Sequence, residues 1–154
     1  MIKSRIFTLI EGVARTADAS YHNGHISHSR QRAFARALTR FQMGEKNGGG
    51  RVRIDPFVFN YPDPKAFSYN FGEVFLQEEY FFISDQDSPV IVDCGANIGL
   101  ATLYFKKVYP ESQIIAIEAN PATFETLVKN VSDNGLAEVE TINIAVTGGD
   151  ETEV

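Results

Sequence analysis

The chain has 154 residues, 44% of them apolar, with 20 acidic against 14 basic side chains and a formal net charge of −6. That length fits one modest core, and no apolar run nears the roughly 20 residues of a membrane-spanning helix, so no integral membrane segment is expected. Cys94 is the only cysteine; it excludes an intrachain disulfide and fits a reducing, cytoplasmic setting.

At the N-terminus, Ile2, Ile6, Ile10 and Val13 recur at helical spacing, while Glu11 and Arg15 interrupt the apolar stretch that a secretory signal requires. An amphipathic helix packed on the body of the protein is expected there. His22, His25 and His28 are spaced by three, yet Asn23, Gly24, Ser27 and Ser29 surround them. A loop without a bound metal is expected, because no carboxylate or thiol lies close by to complete a ligand shell. Arg32, Arg36 and Arg40 then fall at i, i+4 and i+8 beside Phe34, Ala37, Leu38 and Phe41, which predicts a helix with a basic face and an apolar face.

Charge divides unevenly along the chain. Residues 1–53 hold ten Lys or Arg against three acidic residues, a net of +7, and the remainder holds four against seventeen, a net of −13. The basic helix is expected to meet the acidic body; nucleic acid is not an expected partner, since no base-stacking module accompanies the basic stripe.

Asn47 to Gly50 reads as a linker that closes a basic N-terminal appendage, residues 1–50. Residues 51–88 form a second unit. Val52–Ile54 and Phe57–Phe59 predict a small hairpin, with its turn placed at Tyr61-Pro62-Asp63-Pro64. The stretch from Phe67 to Phe82 is dense in aromatics, and Phe71, Val74 and Phe75 at helical spacing predict a layer that covers the core.

The third unit, residues 89–154, carries the informative pattern. Val90, Ile91 and Val92 form an apolar run between Pro89 and Gly95, as expected of a central parallel strand covered on both faces, with Cys94 at its end as a small core residue. Gly95 and Gly99 bracket the following turn, where absent side chains let a ligand approach the backbone at a helix N-terminus. The helix is predicted over Ile98 to Val108, with Leu100, Leu103 and Tyr104 toward the sheet and Pro110 as its stop. A second strand, Ile114 to Ile117, ends at Glu118, which follows Asp93 by 25 residues (118 − 93). Near that spacing an acidic side chain accepts hydrogen bonds from ribose hydroxyls in doubly wound folds. Asn120 and Pro121 predict the cap and first position of a second helix. That helix carries Phe124, Leu127, Val128 and Val131, ends near Asn134-Gly135, and is followed by a third strand over Val139 to Val146. The glycine spacing, DxGxxxG, lacks the middle glycine that makes room for a pyrophosphate. A nucleoside without a diphosphate is therefore the better fit, and a nucleotide-dependent oxidoreductase the poorer one.

The segments PVIVDCGANIGLATLYFKKVYP, IIAIEANPATFETLVKNV and NIAV resemble the FkbM family of S-adenosylmethionine-dependent methyltransferases, over roughly Tyr69 to Val146. The resemblance implies an α/β, Rossmann-like class I methyltransferase fold that binds S-adenosyl-L-methionine. It also implies O-methylation of a sugar, polysaccharide or natural-product hydroxyl, with a small molecule or glycan as acceptor. Carried over by position, Asp93 and Gly95 flank the methionine and ribose portion, Ala96, Asn97 and Gly99 shape the loop, and Glu118 takes the ribose hydroxyls. Ala119 lies near the adenine, where the family commonly has proline, Asn120 caps the next helix, and Asn143 to Ala145 close the adenine pocket. Glu73 and Tyr80 are allowed to face the cofactor or acceptor, and no catalytic base is identified. The sequence ends at Val154, just after the third strand. A fragment inactive alone, open to self-association at its sheet edge, is accordingly expected. A non-catalytic nucleoside-binding or interaction module is the alternative.

Overall fold

The structure, a computed structural model, describes residues 32–36, 38–39 and 48–147. The expectations for the helix at Ile2 to Val13, for His22, His25 and His28, and for Arg40 lie outside the described residues. Residues 32–36 and 38–39 are helical, with Phe34 and Leu38 buried and Arg32 and Arg36 exposed. The amphipathic pattern holds over these positions.

Two strands follow. β1 (Gly50–Ile54) pairs antiparallel with β2 (Phe57–Tyr61), Val52 opposite Phe59 and Ile54 opposite Phe57. The turn of this hairpin is at Asp55-Pro56, which corrects the turn expected at Tyr61-Pro62-Asp63-Pro64. Asp63 and Pro64 open a helix instead. The Asp63 carboxylate accepts from the Lys65 and Ala66 amides at 2.7 and 2.8 Å, and Pro64 sits at the first helical position, where its missing N–H costs nothing. Those two hydrogen bonds hold the Asp63 carboxyl below its usual pKa. The helix, α1 (Pro64–Phe71), runs directly into a π-helical segment, Gly72–Leu76. Phe67, Phe71, Val74 and Phe75 are buried along this stretch, as its aromatic spacing predicts.

The rest is a three-stranded parallel sheet in the order β3-β4-β5: β3 (Val90–Cys94), β4 (Gln113–Ile117) and β5 (Val139–Ile142). Helices α2 (Leu100–Val108) and α3 (Pro121–Asp133) connect them. The second strand lies beside the first and the third outside it, as right-handed crossovers require. β5 is shorter than expected, ending at Ile142, and residues 143–147 have no regular structure.

β3 departs from expectation in a second way. It alternates instead of being covered on both faces: Ile91 and Asp93 are buried, whereas Val90 and Val92 are 67% and 56% exposed and Cys94 is exposed. Among the described residues β3 is an edge strand, and its helices pack on one face only. Cys94 shares the open face with Val90 and Val92, so the expectation of a buried core cysteine is overturned by the two-residue period of the strand.

On the covered side one apolar core joins Ile54, Phe59, Phe67, Phe71 and Phe75 to Ile91, Leu103, Tyr104 and Ile114. Phe34 enters it edge-on to Phe71 and Phe75, at centroid distances of 5.9 and 5.6 Å, so the basic helix is anchored by ring packing.

A polar network fastens the hairpin to α3. Asn134 donates to the Val58 carbonyl and accepts from its amide, both at 2.7 Å. Four residues earlier, Asn130 accepts from the Asn60 amide at 2.6 Å and donates to the Asn60 carbonyl at 3.0 Å. It also donates to the Ile98 carbonyl at 2.7 Å. Asn130 is fully buried, and its removal orphans several buried backbone groups. Asn130→Ala is expected to cost about 2–4 kcal/mol of stability, measured by urea unfolding. A loss under 1 kcal/mol would show that water replaces these bonds.

Candidate functional site

The site is the turn between β3 and α2 together with the tip of β4. Its shape is fixed by backbone conformations that few residues adopt: Gly95, Asn97 and Gly99 have φ of 81°, 52° and 87°. The two glycines serve different ends. A Cβ on Gly99 would stand 2.7 Å from the Leu127 methyl on α3, so this position is required for helix packing. A Cβ on Gly95 would meet nothing within 4 Å, which leaves open space above the turn where a ligand can approach. Below the turn, the Ile117 carbonyl accepts from both the Gly95 and the Ala96 amides at 2.8 Å, seating it on the end of β4.

Glu118 locks this arrangement. One carboxylate oxygen accepts from the Asn97 amide at 2.9 Å, the other from the Asn120 amide at 2.8 Å. The carboxylate is half-buried and retains free lone pairs toward solvent. Beside it, the Asn120 side chain accepts from the Ala122 and Thr123 amides and caps α3, as expected from Asn-Pro. Asn143 donates to the Glu118 and Ala119 carbonyls at 2.7 and 3.1 Å, bringing the chain after β5 against the same ledge. Ala145, two residues on, is exposed.

Asp93 points the other way, into the protein. It is buried, and the Thr102 hydroxyl on α2 donates to it at 2.8 Å. Burial raises its carboxyl pKa, and the Thr102 hydrogen bond offsets this in part. Its side chain ties the strand end to the helix.

A cavity of about 210 Å³ opens beside the turn. One wall is Asp93 to Ile98 with the first residues of α2; the other is Asn70, Glu73 and Val74, with Tyr80 at the side. The family resemblance allows Glu73 and Tyr80 at this site but does not point to Asn70 or Val74. These last two come from a helix more than 15 residues upstream, and nothing in their local pattern marks them. Glu118 does not line the cavity; its ledge and the cavity meet at Asn97. Among the described residues no Lys or Arg lines the cavity, and Glu73 and Asp93 make its lining acidic. Among the described residues, no cluster of His, Cys, Asp or Glu could hold a metal ion, and no helix is long and apolar enough to cross a membrane.

No protein-family model matches the chain. Over 68 residues it is 41% identical to Methyltransferase 1 of Beauveria bassiana (strain ARSEF 2860), a stretch covering 44% of this chain and 27% of that protein. Over 64 residues it is 39% identical to methyltransferase sdnD of Sordaria araneosa, covering 42% and 25%. The chain thus spans about a quarter of the length of these curated relatives. Among solved structures it is similar to M. jannaschii TYW2 in complex with AdoMet, with a TM-score of 0.52 and 26% identity over 65% of this chain and 45% of that one. The fold is the Rossmann-like fold of the class I methyltransferases.

In this methyltransferase fold the Asp93 carboxyl makes a testable contribution to stability. Its pKa is raised in the folded state, so the folded chain holds the proton more tightly than the unfolded one. Stability is then lost as pH rises from the ordinary carboxylate range through the raised value. Asp93→Asn removes that penalty and keeps an acceptor for Thr102. Its melting temperature is expected to gain on the wild type as pH rises from about 4 through the raised value, followed by circular dichroism. A constant difference across that range would show that Asp93 does not titrate there.

Proposed function

We propose that this chain carries the donor-binding part of an S-adenosylmethionine-dependent methyltransferase of FkbM type. The substrate class proposed is a hydroxyl on a sugar, polysaccharide or other natural product. The observation that carries the reading is the bond from the Asn97 amide to Glu118, which joins the glycine turn to the strand-tip carboxylate in one continuous surface. The names of the two relatives and the AdoMet complex of TYW2 support the same chemistry.

The residues present fit such a donor. Glu118 would accept from the ribose hydroxyls with the lone pairs its two amide partners leave free. Ala119, Asn120 and Asn143 would flank the adenine, and Ala145 would lie at its outer edge. The cavity at Asp93, Gly95, Ala96 and Asn97 would take the methionine end. The amides opening α2 have no side-chain cap and would face its carboxylate. Bound there, the donor supplies an electrophilic methyl group on a sulfonium. The chain's part is to hold that group in line with an acceptor oxygen and to keep water away from it.

A further part of the proposal concerns β3. With Val90 and Val92 exposed on an edge strand, self-association would run through that edge; light scattering over a concentration series that shows only monomer counts against it.

Calorimetric titration tests the donor assignment. S-adenosylhomocysteine is expected to bind and NAD is not. Glu118→Ala is expected to weaken S-adenosylhomocysteine by about 1–3 kcal/mol, because charge-assisted bonds to the ribose and the support of the Asn97 amide are both lost. Unaltered affinity in a folded variant, or tighter binding of NAD, would sink the assignment.

A further inference from the structure

We infer that Glu73 sets the charge selectivity of the donor site, so that the cavity prefers the cationic sulfonium donor to the neutral thioether left after methyl transfer. The inference rests on the proposed function and adds to it a residue with a defined role in specificity. Glu73 lies in the π-helical segment, half-buried, on the cavity wall opposite the glycine turn. A π-helical turn carries an extra residue within its hydrogen-bonded ring, and here it brings Glu73 and Val74 together onto the cavity while Phe75 stays in the core. Tyr69 is exposed, and the neighbouring Glu73 carboxylate raises its pKa. Tyr80 stands at the side of the cavity, its ring edge-on to Phe105 at 6.5 Å.

The electrostatics follow from the lining. Asp93 and Glu73 line the cavity, and among the described residues no Lys or Arg lines it with them. Asp93 is turned into the protein and bonded to Thr102, which leaves Glu73 as the carboxylate on the other wall. S-adenosylmethionine and S-adenosylhomocysteine have the same adenosine and the same zwitterionic tail. They differ in the sulfonium, so one carries a net positive charge and the other none. A carboxylate facing a small cavity next to low-dielectric core distinguishes them by Coulomb attraction, and for a half-buried group a few ångströms away the preference is on the order of tenfold. The product is then held less tightly than the donor, and the site clears itself after each transfer.

The test is a charge series at one position: wild type, Glu73→Gln and Glu73→Lys, each checked for folding by its thermal melt. Each is titrated with S-adenosylmethionine, S-adenosylhomocysteine and sinefungin, whose amine is a stable cation near the place of the sulfonium. Gln keeps the size of the side chain and removes only the charge. The wild type is expected to bind both cationic ligands about tenfold tighter than S-adenosylhomocysteine. The preference should shrink to within about twofold in Glu73→Gln and reverse in Glu73→Lys, with affinity for the neutral ligand little altered. An unchanged ratio in the Gln variant, or equal loss for all three ligands, would overturn the inference and leave the function reading intact. Failure of all three to bind the wild type would defeat the function reading and this inference with it. If Glu73→Lys does not fold, the comparison of wild type with Glu73→Gln still decides the matter.

Discussion

The structure depends on a ladder of two amide side chains. β2 pairs with β1 along one edge; along the other, the amide and carbonyl of Val58 and of Asn60 are met by Asn134 and Asn130. The spacing makes this possible. Two residues along a strand advance about 6.8 Å, and four residues along a helix advance about 6 Å, so a carboxamide at i and i+4 of α3 reaches alternate residues of β2. A carboxamide offers a donor and an acceptor side by side, as a neighbouring strand would. The open edge of the hairpin is thereby satisfied by a helix, and a two-stranded hairpin, marginal by itself, becomes part of the body. Asp133 reinforces the ladder by accepting from the Asn60 carboxamide at 2.9 Å, and this bond, with the neighbouring Lys129 and Arg51, keeps its carboxyl pKa low.

The ladder also governs the site, because the same Asn130 holds the Ile98 carbonyl at the end of the glycine turn. The hairpin, α3 and the turn are therefore one mechanical unit. The hairpin presents Phe59 and Tyr61 to α1, where Phe67 stacks on Tyr61 at 5.0 Å and Phe71 on Phe75 at 4.7 Å. Ring pairs of this kind contribute about 0.5–1.5 kcal/mol each beyond the area they bury. They fix the helix whose continuation carries Glu73 and Val74. Both walls of the cavity, one built by the turn and one by the π-helical segment, are thus referred to the same hairpin. At the far end the Tyr104 hydroxyl donates to the buried Glu78 at 3.2 Å, in a residue with φ of 54°, which sets the path of the chain toward Tyr80.

What the sequence disclosed was what local chemistry determines. The strand, the glycine turn, the Asn120-Pro121 cap and the carboxylate at the tip of β4 are each readable within a few residues, and the order of the parallel strands follows from handedness. Interactions between distant segments were not readable. Asn60 and Asn130 lie 70 residues apart, and an asparagine carries no mark of whether it faces solvent or replaces a strand. Asp63-Pro64 illustrates a different difficulty: the same dipeptide suits a turn and a helix start, and the hairpin turn fell instead to Asp55-Pro56. Glu118 was singled out for its ligand potential, yet its bonds to two backbone amides, which make it a structural residue first, could not be inferred from spacing. β3 misled because an apolar run implies two covered faces, and Cys94 was placed in the core on that ground; composition does not reveal which faces have a neighbour.

The one-sided packing of β3 clarifies how the turn is held. Its covered face carries the restraints: Asp93 bonded to Thr102, Gly99 against Leu127, Ile98 bonded to Asn130, and the Ile117 carbonyl accepting twice. The open face supplies none of these. Asn97, a non-glycine residue in the left-handed region between two glycines, stores strain, and the turn keeps its shape only where the surroundings determine it more than once. That condition is met from α2, α3 and the end of β4, by contacts that leave the space above Gly95 free. Glu118 serves both roles, fixing the turn through the Asn97 amide while keeping the lone pairs that a ligand would use.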